Sequence, residues 1–348
     1  MSRPFESDPN HTDPTPLTPD RLHPYASLTP DTVLDALDLT GLRGDGRLIQ
    51  LNSYENRVFQ VFLEDGGAVI AKFYRPERWT DAQIEEEHRF ALELAEAEIP
   101  VVAPLSFEAG GDTGTLGHHA GFRFAVYPRR GGRAPELDDP ETLEWTGRFL
   151  GRIHAVGARS RFTVRQTLDL QTLGLESRDW LLEHEALPPE VLPAWRDAVD
   201  RALDQVARTW ETVGPLPQLR LHGDCHLGNI LWTEAGPHFV DLDDARTGPA
   251  VQDLWMLLSG NAESLQQQLF FVLKGYRNFA DFDHRELQMI EPLRTLRLIH
   301  HSAWLARRWD DPAFPHAFPW FGSSGYWSEQ VIRLREQLQA MQEPPLHL

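Results

Sequence analysis

Two short apolar runs in the first half of the chain are separated by a polar turn. They occupy residues 58–62 (VFQVF) and 68–74 (AVIAKFY), with Glu-Asp-Gly-Gly at 64–67. β-Branched and aromatic runs on either side of a Gly-containing turn are typical of a β-hairpin. Similar runs at 101–103 and 123–127 predict two further strands, the second ending at Pro128.

Helical periodicity dominates the rest of the chain. Thr80 and Gln83 have the spacing of a capping box, which predicts that a helix begins there. Asp139 followed by Pro140 is a second helix start. The remaining amphipathic patterns predict helices near 28–42, 189–211, 264–280 and 285–308. A β-rich part is therefore followed by a mainly helical part, which is an α+β fold.

Two charged residues of the β-rich part fall at apolar positions. Lys72 stands inside an apolar strand, and a buried lysine needs an anionic partner. Glu87 lies on the same face of the predicted helix as Ile84 and Ala91, whereas Glu85 and Glu86 are expected on its solvated face. We therefore expect a Lys72–Glu87 pair that positions phosphates. An edge-strand lysine in solvent is the alternative interpretation.

The segment at residues 221–229 (LHGDCHLGN) carries the chemistry of the chain. Asp224 and Asn229 have the spacing of a kinase catalytic loop, in which the Asp takes the proton of the acceptor hydroxyl and the Asn holds Mg²⁺. The short apolar runs 230–232 and 238–240 flank a Gly-Pro linker and predict a hairpin. This hairpin brings Asn229 close to Asp241, and an amide oxygen beside a carboxylate suits Mg²⁺.

Two other interpretations of this segment remain. In the first, His222 and Asp224 only form hydrogen bonds within a turn, and the acidic run at 241–244 is a solvated loop. A zinc site of His222, Cys225 and His226 is possible by ligand type, but the sequence lacks a second ligand pair at metal spacing.

Composition narrows the class of protein. The 348 residues carry a formal net charge of −19, which argues against nucleic acid as a partner. The single cysteine permits no intramolecular disulfide, and no apolar run is long enough for a membrane span. We expect a cytoplasmic, soluble monomer without a membrane partner. Residues 1–24 are rich in Pro, Asp and Thr and predict a disordered tail.

Longer motifs give the chain a family resemblance. Residues 222–229, and the spacing of Asp241, Gly248 and Asp253, resemble the aminoglycoside phosphotransferase branch of the protein-kinase-like superfamily. Within that branch, the segments 51–58, 72–79 and 240–246 and the motif at 309–315 resemble a group of bacterial stress-response kinases; these segments are LNSYENRV, KFYRPERW, VDLDDAR and WDDPAFP.

The resemblance implies a bilobal protein-kinase-like fold. It implies a β-rich N-lobe that binds ATP at 25–130 and a mainly helical C-lobe at 131–348, divided where the Arg-Gly run 129–133 breaks the strand pattern. It also implies ATP- and Mg²⁺-dependent phosphorylation of Ser or Thr on a protein, linked to stress survival. A nucleotide base would bind near 125–127.

The resemblance also implies roles for particular residues. Asp224 would be the catalytic base. Asp241 would be a second catalytic residue, and it would hold Mg²⁺ together with Asn229. The nucleotide-binding residues would be Ser53 in a loop over ATP, Lys72 on the phosphates and Glu87 orienting Lys72. Asp253 would brace the catalytic loop.

The chain departs from ordinary protein kinases in two respects. The loop at 52–57 has no glycine, so side chains such as Ser53 and Asn56 are expected to replace the backbone cradle for phosphate. Only eleven residues separate Asp241 from Asp253, which leaves no room for a long phosphorylatable activation loop.

Alternatives also remain for the acceptor. A small alcohol, amino alcohol or sugar would need the same chemistry, and the acidic composition would suit a cationic acceptor. A nucleotide-binding regulator with little catalysis is the third hypothesis. We interpret Cys225 as a small buried filler rather than a redox switch. The aromatic run of His300, His301, Trp304 and Trp309 could wall an acceptor groove, but we favour core packing.

Overall fold

The computed structural model of the protein describes residues 23–109 and 112–346. Most of the tail predicted at 1–24, namely residues 1–22, lies outside the described residues. Strands are concentrated before residue 130 and helices after it. The predicted α+β fold class is therefore confirmed.

The strand-rich part is built on a five-stranded antiparallel sheet with the order β1-β2-β3-β7-β6. The strands up to this point are β1 Gly44–Gln50, β2 Arg57–Leu63, β3 Ala68–Phe73, β4 Phe107–Ala109, β5 Asp112–Gly114, β6 Gly117–His119 and β7 Phe122–Pro128. The predicted hairpin is β2–β3, in which Val58 lies opposite Lys72. Alternate residues of β2 are buried, as expected for a strand with one face on a core.

The strand predicted at 101–103 is wrong. In the described chain, Val101 forms only an isolated parallel bridge with Phe239. Pro100 and Pro104 flank this segment, and proline cannot donate to a strand ladder, so pairing does not extend. The bridge nevertheless connects the strand-rich part to the segment that precedes Asp241.

Helices account for most of the remaining chain. Their bounds are α1 Pro30–Asp38, α2 Asp81–Glu96, α3 Pro140–Gly157, α4 Glu176–Glu183, α5 Leu192–Val213, α6 Val251–Trp255, α7 Ala262–Tyr276, α8 Ile290–Ala306, α9 Ala313–Ala317 and α10 Ser324–Ala340. A π-helical turn occupies Gln171–Leu175, and 3₁₀ turns occupy Leu227–Asn229, Leu242–Asp244 and His284–Met289. None of the helices in the described ranges has the length and apolar content to cross a membrane.

Side chains at the helix ends explain where several helices begin. The predicted capping box is present, since Thr80 accepts from the backbone of Gln83 while the Gln83 side chain accepts from Thr80 N. The Asp139 side chain caps α3 by accepting a hydrogen bond from Thr142 N at 2.8 Å. These local contacts satisfy backbone donors that lack a partner within the helix.

Two pairs of short strands lie within the helical part. Their bounds are β8 Leu219–Leu221, β9 Ile230–Thr233, β10 Gly236–Phe239 and β11 Arg246–Gly248. β9 and β10 form the predicted hairpin, and β11 pairs with β8. The loop from His222 to Asn229 and the acidic segment 241–244 therefore lie at the ends of two small ladders that hold them together.

Candidate active site

The loop after β8 is fixed by a buried carboxylate. Asp253 accepts hydrogen bonds from the backbone N–H groups of His222 (2.9 Å) and Gly223 (2.8 Å), and His154 Nε2 lies 2.9 Å from the same carboxylate. Asp253 is completely buried. Asp253 thus braces the loop, as expected, and does not line the cavity described below.

Gly223 permits a close approach of two segments. Its φ of +85° favours glycine, and a Cβ built there would lie 2.1 Å from the carbonyl oxygen of Asp244. On the other side, His222 Nε2 lies 2.9 Å from the carbonyl oxygen of Val240. The acidic segment is therefore held directly against the loop that carries Asp224.

Asp224 contacts one guanidinium group. Arg297 Nη1 donates to Asp224 Oδ1 at 2.7 Å, and His226 Nε2 lies 3.5 Å from Oδ2. Burial raises the pKa of the Asp224 carboxyl, but the hydrogen bond from His226 and the charge of Arg297 outweigh it, so its pKa lies below the ordinary value. Asp224 is therefore a carboxylate at neutral pH and can accept from a hydroxyl.

Asn229 and Asp241 offer oxygen atoms next to this loop. Asn229 Nδ2 donates to the carbonyl of Asp224 at 2.9 Å, and the amide oxygen accepts from no group of the described residues, so it is free to bind a metal. Val240 N donates to the carbonyl of Asn229 at 3.0 Å, so Asp241 follows immediately. An amide and a carboxylate oxygen fit Mg²⁺, which usually completes its six ligands with phosphates and water.

Asp241 has an unusual backbone conformation. Its φ of 60° and ψ of 64° lie in the left-handed region, which Asp tolerates better than most residues. The turn ends the strand direction of β10 and starts the 3₁₀ turn Leu242–Asp244. The Asp241 side chain remains half-exposed at the cavity.

Lys72 is bound by two carboxylates of the acidic segment. Its Nζ lies 2.8 Å from Asp241 Oδ1 and 3.3 Å from Asp243 Oδ1. Burial lowers the pKa of Lys72, but the charges of Asp241 and Asp243 hold it well above the ordinary value. The lysine is therefore a buried cation, and the alternative of an edge-strand lysine in solvent is wrong.

The expected ion pair between Lys72 and Glu87 is not formed. Within the described residues, the carboxylates within 4.0 Å of Lys72 are Asp241 and Asp243. Glu87 is buried beside them, and burial raises its pKa to about 7, although the Lys72 charge acts in the opposite direction. The acidic segment takes the place at the ammonium group that the helix residue was expected to fill.

Arg78 is a site residue that the sequence did not single out. Its guanidinium pairs with Asp243 and, at 2.9 Å, with Asp244 Oδ1. Asn56 Nδ2 donates to Asp243 at 3.2 Å, and Asn56 Oδ1 accepts from Arg75 N at 3.1 Å. Asn56 therefore ties Asp243 to the backbone of Arg75, and because its amide nitrogen keeps a second N–H at the cavity, the phosphate contact expected of it stays a prediction.

Glu86 was also misjudged as a solvated residue. It accepts four hydrogen bonds, from Thr163 N (2.6 Å), Thr163 Oγ1 (2.7 Å), Val164 N (3.0 Å) and Arg165 N (2.8 Å). Burial raises the pKa of Glu86, but these bonds outweigh it and its pKa is lowered. Glu85 is exposed, as expected. Glu86 anchors α2 to the loop that carries Arg165.

Arg165 extends this anchor to the acidic segment. Its Nε donates to the carbonyl of Ala245 at 2.9 Å, and its Nη2 donates to the carbonyl of Asp243 at 2.5 Å. Helix α2 therefore positions the Asp243 region through Glu86 and Arg165 rather than through Glu87.

One face of α8 also faces the site. Arg297, His300, His301 and Trp304 line the cavity, so core packing does not describe the whole of this run. Trp304 also packs, with its ring centroid 5.0 Å from that of Phe314. Trp309 does pack, with its ring centroid 4.9 Å from that of Phe321. The i, i+3 and i+4 spacing of these cavity residues was a usable signal in the sequence.

Cys225 is a small buried residue, as expected. It is completely buried, and burial, with the charges of Asp253 and Asp224, raises the pKa of its thiol well above the ordinary value. A cysteine binds zinc as the thiolate, which a raised pKa disfavours. In the described ranges, no group of three or more His, Cys, Asp or Glu side chains is placed to hold a metal ion.

All the predicted site residues meet in one cavity of about 990 Å³ between the sheet, the loop from His222 to Asn229 and α8. They are Ser53, Lys72, Glu87, Asp224, Asn229 and Asp241. A lysine on the sheet, a braced Asp loop and a neighbouring amide–carboxylate pair define a phosphotransferase of kinase-like fold. A sequence model described as the phosphotransferase enzyme family (APH) matches residues 47–290, and the chain belongs to this family.

Curated relatives cover nearly the whole chain. Stress response kinase A of Escherichia coli (strain K12) is 48% identical over 324 residues, which are 93% of this chain and 97% of the relative. The serine/threonine protein kinase RdoA of Salmonella typhimurium (strain LT2) is 46% identical over 94% of this chain and 98% of its own. The sequence resemblance to bacterial stress-response kinases is therefore confirmed.

Solved structures share the fold at low identity. Amicoumacin kinase hAmiN, in complex with AMP-PNP, Ca²⁺ and Ami, has a TM-score of 0.70 at 19% identity over 91% of this chain and 94% of its own. A microcompartment-associated aminopropanol kinase has a TM-score of 0.62 at 18% identity, covering 88% and 95%. The fold is thus that of kinases in this family.

Proposed function

We propose that the protein transfers the γ-phosphoryl group of Mg·ATP to a Ser or Thr hydroxyl of a protein substrate. The observation that carries this proposal is the Asp224 carboxylate, held on a braced loop directly beside the free amide oxygen of Asn229 and the carboxylate of Asp241. Positioning and charge stabilisation are the main tasks in phosphoryl transfer, and this arrangement serves both.

The sheet side of the cavity would hold the nucleotide. Lys72 provides a buried cation for the phosphates, Ser53 lines the cavity in the loop before β2, and Glu87 lies buried nearby. Tyr127 at the end of β7 also lines the cavity, which suits the base. In this proposal residues 25–130 form the N-lobe and residues 131–348 the C-lobe.

Asp224 would act on the acceptor. Its carboxylate orients the hydroxyl and receives its proton as the oxygen bonds to phosphorus. Mg²⁺, held through Asn229 and Asp241, would supply positive charge for the phosphate oxygens. The AMP-PNP and Ca²⁺ of the amicoumacin kinase structure support a nucleotide and a divalent cation in this fold.

One observation favours a protein acceptor over a cationic small alcohol. A relative that is 46% identical over 94% of the chain is named a serine/threonine protein kinase. The small-molecule kinases share only the fold with this chain.

The test is transfer of radiolabelled γ-phosphate from Mg·ATP to a generic protein substrate, without added alcohols. Asp224→Ala removes the base, and Asp35→Ala serves as control because Asp35 is exposed on α1 and does not line the cavity. Label on Ser or Thr with wild type and control, but not with Asp224→Ala, supports the proposal. If label appears only on compounds from a panel of small alcohols, the acceptor is a small molecule rather than a protein. If wild type shows no turnover above that of Asp224→Ala, the hypothesis of a nucleotide-binding regulator is favoured.

The metal ligands have their own test. Asp241→Ala should weaken Mg·ATP binding, measured by calorimetry, whereas Asp35→Ala should leave it unchanged. Equal affinity in wild type and Asp241→Ala would contradict the assigned role. We also propose, from the names of the relatives, that the kinase acts in the cytoplasm during stress; survival of a deletion strain equal to that of its parent under stress would contradict this.

A further inference from the structure

The Asp224 carboxylate is paired with a cation from a distant helix. Arg297 on α8 lies 73 residues along the chain from Asp224, and its Nη1 donates to Asp224 Oδ1 at 2.7 Å. In the part of the chain that the structure describes, Arg297 is the one Arg or Lys within 4.0 Å of this carboxylate. The Arg297 side chain is 45% exposed and lines the cavity.

Several other cations of the cavity pair with the acidic segment instead. Lys72 is bound by Asp241 and Asp243, and Arg78 by Asp243 and Asp244. The catalytic loop from Gly223 to Asn229 itself contains neither Lys nor Arg. The loop next to Asp224 therefore supplies no cation of its own to the place where the acceptor oxygen would meet phosphorus.

A simple ion pair does not account for this contact well. The Arg297 side of this pair is open to solvent, and pairs screened by solvent contribute at most about 1 kcal/mol to stability, so Arg297 adds little to the fold through Asp224. A cation on the base also reduces its affinity for a proton. Phosphoryl transfer tolerates a weak base, because its transition state is loose, but it requires stabilisation of the charge on the phosphoryl oxygens.

The chemistry of the guanidinium group suits that requirement. Arginine has five N–H donors in a rigid fork, so one edge can hold a carboxylate while other donors contact phosphate oxygens. Arg297 Nη1 is engaged by Asp224, and within the described residues no other carboxylate lies within 4.0 Å of the group. The same side chain can therefore connect the base to the transferring group.

We propose that Arg297 is a catalytic residue that contacts the γ-phosphoryl group and Asp224 together. This rests on the proposed phosphoryl transfer, whatever the acceptor. The acceptor oxygen forms a bond to the γ-phosphorus, and the bond from that phosphorus to the β–γ bridging oxygen breaks. The electron pair of the broken bond leaves with ADP, the hydroxyl proton passes to Asp224, and Arg297 keeps its charge throughout.

A transition-state analogue tests this without an acceptor. Calorimetry compares the affinity for ADP–aluminium fluoride with Mg²⁺ against the affinity for ADP with Mg²⁺, in wild type and in Arg297→Ala. If the Arg297 contact is made only in the transition state, its loss in Arg297→Ala should weaken analogue binding about 100-fold or more, while ADP binding changes less than about threefold. Arg297→Lys should retain part of the difference, and free guanidinium should restore part of it to Arg297→Ala.

Arg294→Ala is the matched control. Arg294 lies one turn earlier on α8, pairs with Glu291 at 2.8 Å and does not line the cavity, so both affinities should stay at the wild-type values. Equal loss of ADP and analogue binding in Arg297→Ala, or loss of neither, would overturn the proposal for Arg297. Failure of wild type to bind the analogue more tightly than ADP would instead count against phosphoryl transfer itself.

Discussion

Lys72 and Asp241 form an ion pair of 2.8 Å across 169 residues of chain. One partner lies in the middle of the sheet, and the other follows the hairpin next to the catalytic loop. The contact therefore brings the proposed phosphate-binding cation to the proposed metal ligand. The chain contains only two lysines among its 33 basic residues, Lys72 and Lys274, so lysine is rare in this protein and one of its two occurrences is at the site.

The two lysines make a matched pair of variants. Lys72→Met removes a buried cation and leaves Asp241 and Asp243 with less positive charge, so we expect loss of roughly 1–3 kcal/mol of unfolding free energy and weaker ATP binding. Lys274→Met breaks an exposed pair with Glu144 and should cost less than about 1 kcal/mol.

Urea denaturation and calorimetric titration with ATP measure both effects of the lysine variants. Equal stability and equal ATP affinity for the two variants would contradict the structural assignment of Lys72.

The neighbouring acids Glu85 and Glu86 should respond very differently to replacement. Glu86→Ala leaves the donors of Thr163, Val164 and Arg165 without their acceptor, which should destabilise the protein by roughly 2–3 kcal/mol. Glu85→Ala removes an exposed side chain and should change stability by less than about 0.5 kcal/mol. Chemical denaturation of both variants provides the comparison, and similar values would show that Glu86 is not an anchor.

Glu87 should make stability depend on pH. Burial raises its pKa in the folded protein to about 7 from an ordinary value of 4.5. Between these values the folded protein holds a proton that the unfolded chain has lost, so the contribution of Glu87 is complete below pH 4.5 and declines as the pH rises to about 7. The decline amounts to at most roughly 3 kcal/mol.

Comparison with Glu87→Gln isolates this effect. Burial lowers the pKa of His88, His300 and His301, which gives stability the opposite trend at acidic pH, but these groups are present in both proteins. The difference in unfolding free energy, wild type minus variant, should fall from pH 4.5 to about 7. A difference that is constant across this range would show that Glu87 ionises normally.

Close packing of α3 against α7 should not tolerate an added methyl group. A Cβ at Gly147 would lie 2.0 Å from the carbonyl oxygen of Val272, so one helix must move. We expect Gly147→Ala to cost about 3 kcal/mol. Gly131→Ala is the control, because a Cβ there meets nothing within 4 Å. Thermal unfolding measures both, and an equal melting temperature for the two variants would contradict the close contact.

Much of the fold follows from neighbours in sequence. The β2–β3 hairpin, the Thr80 capping box and the α3 start at Asp139 were predicted correctly because each depends on residues only a few positions apart. The strand at 101–103 failed for a related reason, since the two prolines beside it outweighed its apolar composition. The order of β-rich and helical parts followed from the same local patterns.

The sequence by itself determined the composition of the site: a loop with Asp224 and Asn229 at catalytic spacing, followed twelve residues later by Asp241. Only the tertiary structure decided the partners. Lys72 pairs with the acidic segment rather than Glu87, and Arg297 reaches Asp224 from α8. A buried charge without a partner of opposite charge is costly, so the pairing is set by which residues lie close in space. These partners are 73 to 169 positions apart in the chain, and such a separation leaves no periodic signal from which the pairing can be deduced.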